Sequence, residues 1–263
     1  MTNANADAAR RAGSTTKPAA LTAVEALEIL VGMQVELEPD LDSVGGSGSN
    51  HLVARYAFLA VGVIVNSFAI ALITKCALGT SPISSLPYVL SLAFPAISFG
   101  AMSFIMNTFL ILLQIVLLRR DFQPVQLLQM VVNVVFSYVI DISMNLLAFY
   151  APQGIVLQAL GVVLGCAVLA FGVCVELAPQ VIVVPGEGAV RAIAQVTGQR
   201  FGSVKVMFDL TLVATAVVCS LVFFGEIRGL GLGTVISALL VGRFCNLFNT
   251  YFKPLNKIRA LSR

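Results

Sequence analysis

The sequence predicts an all-α polytopic membrane protein: six transmembrane helices in two inverted three-helix repeats, each with a short broken or re-entrant helix, near 80–95 and near 184–198. Three observations lead there. The 263 residues are 58% hydrophobic and only 11% charged, with a mean hydropathy of +0.95, whereas soluble domains carry about a quarter charged residues. Several apolar runs reach the ~18–20 residues needed to cross ~30 Å of hydrocarbon. Lys and Arg are distributed so that an even number of crossings accounts for them.

Residues 1–50 read as a cytoplasmic tail. Met1 to Pro18 is rich in Ala, Asn, Thr and Ser with three basic residues, a composition that does not build a core. No apolar stretch follows Arg10 and Arg11, so a signal peptide is not expected. Residues 19–37 carry apolar positions Leu21, Val24, Leu27, Leu30 and Val31 at helical spacing, a short amphipathic helix with Glu25 and Glu28 outward. Glu38-Pro39-Asp40 ends it, and the Gly/Ser run 45–49 is a linker.

The membrane domain occupies 51–252, with spans at about 51–74, 98–118, 125–149, 154–175, 206–224 and 230–251, followed by a basic tail, 253–263. Basic residues favour the cytoplasmic side of a membrane. Six spans with both termini inside place thirteen of the sixteen Lys and Arg on that side, leaving Lys75 and Arg228 opposite and Arg243 within a span. A single full crossing by either short segment would invert the later spans. Crossing by both would move Arg119 and Arg120 outside, so the short segments are read as re-entrant.

Each short segment opens on a helix-start signal. In Leu78-Gly79-Thr80-Ser81-Pro82, Thr80 or Ser81 suits an N-cap and Pro82 the first turn, where its missing N–H would go unpaired anyway. Val184-Pro185-Gly186-Glu187-Gly188 stands in an equivalent place about a hundred residues later. A shift of 102 lays Ser98-Phe99-Gly100 over Arg200-Phe201-Gly202 and Asn107 over Asp209. Three spans per unit require the units to insert with opposite orientation, the plan of many secondary transporters. Two short helices entering from opposite faces would bring their N-terminal N–H groups toward the middle, where they favour an anion or a polar carbonyl.

Polar residues at membrane depth are functional candidates because burying them is costly. Thr80, Ser81, Asn107, Asp141, Gly186, Gly188 and Asp209 form the expected substrate lining, with Glu187, Arg191 and Lys205 as pairing or gating residues. Lys205 and Asp209 lie one turn apart, as do Glu187 and Arg191. The five cysteines form no CxxC pair and read as small buried hydrophobes. His51 lacks partners for a metal site. No HExxH, phosphate loop or dinucleotide fingerprint occurs. An enzyme, a metal centre, a bound cofactor and nucleic-acid binding are therefore not expected.

Leu78-Gly79-Thr80-Ser81-Pro82 with Leu86-Pro87-Tyr88-Val89-Leu90-Ser91, and later Phe201-Gly202-Ser203-Val204-Lys205 through Asp209, resemble the signatures of the YczE/YyaS/YitT family of bacterial integral membrane proteins. The resemblance covers roughly residues 52 to 255 and implies a multi-pass protein of the bacterial plasma membrane. It leaves the N-terminal tail unexplained, and the soluble C-terminal domain of some members of the broader group is replaced here by a short basic tail. The function expected is a secondary transporter of a small polar or anionic solute. The alternative is a non-transporting membrane partner or regulator that docks through the acidic 19–37 helix. Expected partners are the lipid bilayer, an unidentified small solute and further copies of the chain.

Overall fold

The computed structural model describes residues 52–179 and 181–251. The N-terminal helix, the linker, His51 and the basic tail considered above lie outside these. Eight α-helices are described, and no strand occurs among these residues: α1 Leu52–Lys75, α2 Pro82–Ala93, α3 Phe99–Leu118, α4 Gln129–Leu146, α5 Ile155–Leu177, α6 Pro185–Thr197, α7 Phe201–Phe224 and α8 Leu232–Tyr251. All but α2 and α6 are long and apolar enough to cross a membrane. The protein is thus a multi-pass, all-α membrane protein.

The bounds differ from the sequence reading at two places. The third span begins with a 3-10 turn, Pro124–Leu128, because Pro124 fixes the entry and α4 starts only at Gln129. The fifth span starts at Phe201 rather than 206, so Lys205 and Asp209 both stand inside a helix and not at its edge. Each helix of the second half begins 102 or 103 residues after its counterpart in the first: Leu52 and Ile155, Pro82 and Pro185, Phe99 and Phe201, Gln129 and Leu232.

The two most buried spans, α1 and α5, pack antiparallel along their length. Glycine makes this possible, since small residues let membrane helices approach backbone to backbone. A Cβ on Gly62 would stand 2.6 Å from the Glu176 backbone, and one on Gly165 would stand 2.6 Å from the Ile73 side chain. Ala69, Ile70 and Ile73 of α1 meet Val162, Cys166 and Leu169 of α5 in the main core, which Phe99 and Ile140 close. α4 packs on α1, and α8 packs on α5.

Each short helix lies against a long helix of the other half. α2 packs on α7, with Leu86 and Val89 against Leu212 and Ala216, while α6 packs on α3. The outer faces of α3, α4, α7 and α8 keep large apolar side chains exposed, among them Phe109, Val131, Val222 and Val235. In lipid that is the expected surface. Four of the five cysteines are buried and all are free thiols.

Gly62→Ala should push α1 away from α5 and lower stability by about 1–3 kcal/mol, while lipid-facing Leu164→Ala should stay within about 0.5 kcal/mol of the parent. The chain has no tryptophan, so a thiol-reactive dye that reports exposure of the buried cysteines on heating is the suitable measurement.

Candidate functional site

Both breaks in the membrane helices are held by protein rather than left to lipid. After α1 the chain turns through Ala77, with φ 59°, and Gly79, with φ 112°, a conformation that favours glycine. The Leu78 carbonyl accepts from Gly233 N–H at 2.7 Å, which satisfies a first-turn donor of α8. Thr80 N–H donates to Thr234 Oγ1 at 3.3 Å, and Thr74 Oγ1 donates to Thr80 Oγ1 at 2.9 Å. Thr80 is fully buried in this seam. It fastens the break to α8 and does not line the cavity described next.

The first turns of α2 and α6 meet. Pro82 and Pro185 each occupy the first helical position, and neither preceding residue caps its helix: Ser81 Oγ donates to Ser84 Oγ instead, and Val184 has no polar side chain. Ser84 N–H reaches Ser81 O and Gly188 N–H reaches Val184 O, which leaves Ile83, Gly186 and Glu187 N–H without a helical acceptor. A Cβ added to Gly186 would collide with the Ile83 side chain. The two helix N-termini are therefore in contact.

Around this meeting point lies a cavity of about 200 Å³. Ser81, Ser84 and Pro87 of α2 and Gly186, Glu187 and Arg191 of α6 line it from the two short helices. Ser103 and Asn107 of α3 and Lys205 and Asp209 of α7 line it from the N-terminal halves of the long ones. Asn66 of α1, Glu176 of α5 and Cys245 of α8 complete the walls. Lys205 Nζ pairs with Asp209 Oδ1 at 2.7 Å, and the Arg191 guanidinium lies 5.8 Å from the centre of the Phe201 ring. Asn107 Nδ2 donates to Asn133 Oδ1 at 2.9 Å, and Asn133 Nδ2 donates to Phe104 O, so this pair also ties α3 to α4.

Of the residues singled out from sequence, Ser81, Asn107, Gly186, Glu187, Arg191, Lys205 and Asp209 thus gather on one cavity. Thr80, Asp141 and Gly188 stand elsewhere. Asp141 holds the start of α3: its Oδ2 accepts from Ser98 Oγ at 2.6 Å and its Oδ1 accepts from Gly100 N–H at 2.8 Å. A carboxylate there complements the N-terminal dipole of α3. Gly188 faces Gln114, whose amide would be 2.6 Å from an added Cβ. Gln114 and Gln129 exchange amide hydrogen bonds, and Gln114 Nε2 also donates to Pro185 O at 3.0 Å, anchoring the start of α6.

Sequence reasoning passed over two features. One is this glutamine pair, which its place in long apolar runs could have signalled. The other is Glu176, 2% exposed and hydrogen-bonded by Asn66 Nδ2. Glu176 stands at the last turn of an apolar span and so reads as an interfacial residue.

Fold and cavity define a multi-pass α-helical membrane protein in which two short helices meet at a cavity that carries charged side chains. A sequence profile of the DUF6198 family, a family of unknown function, matches residues 53–250, and the chain belongs to that family. No curated protein and no solved structure matches the chain.

Asp141→Ala should lower stability by about 0.5–2 kcal/mol by leaving Gly100 N–H and the capping Ser98 hydroxyl without their acceptor. Dye-monitored melting of the purified protein measures this, and Asp141→Asn, which keeps one acceptor, should fall between the two.

Proposed function

We propose that the protein is a secondary transporter of a small polar or anionic solute, bound where the N-termini of α2 and α6 meet. The observation that carries this reading is the contact between Ile83 and Gly186 on the wall of a polar cavity. Uncapped helix N-termini offer N–H donors and a positive dipole to an anionic or carbonyl group. Ser81, Asn107, Gly186 and Asp209 are the proposed contacts, with Glu187, Arg191 and Lys205 setting the charge around them.

The transport reading rests on an inverted repeat. Three features support it: the recurrence of helix starts at 102 or 103 residues, the antiparallel crossing of α1 and α5, and the reciprocal packing of α2 on α7 and α6 on α3. An offset of 103 also exchanges Gly62 with Gly165 and Ile73 with Glu176, the partners in the two close contacts of α1 with α5. It carries Ile83 onto Gly186, so the touching residues would lie on the axis relating the halves. Broken helices around such an axis are how transporters of this plan hold solutes near the bilayer midplane. On this reading the protein sits in the bacterial plasma membrane with both termini cytoplasmic. The motif resemblance to the YczE/YyaS/YitT proteins is consistent with that.

The purified protein, screened for thermal stabilisation by inorganic anions, organic acids and amino acids, should yield a stabilising solute that crosses proteoliposome membranes. Asp209→Asn and Ser81→Val should fold normally yet cut that flux at least about tenfold, equivalent to about 1.4 kcal/mol. Failure of every stabilising solute to cross would remove transport as the function.

A further inference from the structure

Five carboxylate or basic side chains among the described residues line the cavity: Glu176, Glu187 and Asp209 against Arg191 and Lys205. With all five ionised the wall carries one negative charge more than positive. Asp209 already has Lys205 at 2.7 Å, and Glu187 lies within electrostatic reach of Lys205 and Arg191. Glu176 is close enough to Glu187 to be repelled by it. The unmatched charge is therefore on Glu176.

Hydrogen bonding points to the same atom. Asn66 Nδ2 donates to Glu176 Oε2, while Glu176 Oε1, in a side chain 2% exposed, has no partner. Arg55, the basic residue of α1 nearest this end of α5, is occupied at its Nε by Pro179 O at 3.0 Å. Across from Glu176, α8 contributes the thiol of Cys245 and no charge. If the repeat proposed above is correct, the centre of the α1–α5 crossing falls between residues 170 and 171. Glu176 then lies about 8 Å from it along the helix, at 1.5 Å per residue. That is inside the ~15 Å half-thickness of the hydrocarbon. A carboxylate oxygen without a donor is costly at such a depth.

We propose that Glu176, oriented by Asn66, is a binding site for one small positively charged group: an alkali cation or a primary ammonium. No group of three or more His, Cys, Asp or Glu side chains among the described residues is placed to hold a metal ion, which sets transition metals aside. An ammonium could be part of the transported solute, whose other end would face the N–H groups of Ile83 and Gly186. An alkali cation would be a separate, co-bound ion. The chemistry at Oε1 is the same in both.

The test uses the full chain in lipid nanodiscs at constant pH and ionic strength. Sodium, potassium or methylammonium chloride replaces N-methylglucamine chloride stepwise while the melting midpoint is followed with the thiol dye. At least one of these salts should raise the midpoint saturably. The shift should vanish in Glu176→Gln, which keeps the side-chain shape, and need at least tenfold more salt in Asn66→Ala. Response to sodium or potassium identifies a co-bound ion, and response to methylammonium alone identifies an ammonium site. No response to any of the three, or an undiminished response in Glu176→Gln, overturns the proposal. So does stabilisation by acid alone that Glu176→Gln abolishes, because the carboxylate would then hold a proton and not a cation. A saturable response without solute flux would retain the site and remove transport, and flux without a response would do the reverse.

Discussion

Lipid offers no hydrogen bonds, so a helix can break inside a membrane only where protein or a wet cavity receives the freed backbone groups. This chain breaks twice, and the rest of the structure answers those breaks. At the first, Gly233 N–H takes the Leu78 carbonyl and Thr234 receives Thr80 N–H. At the second, the Gln114 amide takes the Pro185 carbonyl. The N–H donors left over at the first turns of α2 and α6 belong to Ile83, Gly186 and Glu187, which line the cavity. Polar chemistry is concentrated where the secondary structure is interrupted, and nearly everything else is apolar packing.

The close crossing of α1 and α5 is what allows two interrupted helices to share one cavity. With Gly62 and Gly165 in the interface, the spans approach until Asn66 and Glu176 hydrogen-bond across it. A larger residue at either glycine would separate α1 from α5 and, with them, the walls that carry Asn66 and Glu176. Packing and site are thus a single arrangement. The exposed valines and phenylalanines of α3, α4, α7 and α8 carry no such constraint and need only match lipid.

Much of this was legible in the chain. Apolar run length located six spans, and Thr-Ser-Pro and Val-Pro-Gly marked the breaks because proline suits the first turn of a helix. Depth was harder to read. Counting residues along its span puts Asp141 near the outer side as a candidate ligand contact, yet its neighbours in space are Ser98 and Gly100, a helix start forty residues earlier in sequence. Glu176 ends an apolar run, yet the packing of α5 on α1 sets it opposite Gly62 and on the cavity wall. Linear counting gives a residue's place along its own span and not the residues that packing brings beside it.

The exchange of short helices between the halves also sets an order of assembly. α2 finds its apolar partner, Leu212 and Ala216, on α7, more than a hundred residues downstream. During synthesis α2 emerges with α3 of its own half to pack on, through Tyr88 against Phe99, but its uncapped first turn and Ile83 must wait for α6 and α7 to be inserted. Either half made alone would expose a broken helix to lipid, whereas both halves made as separate chains in one membrane could complete each other.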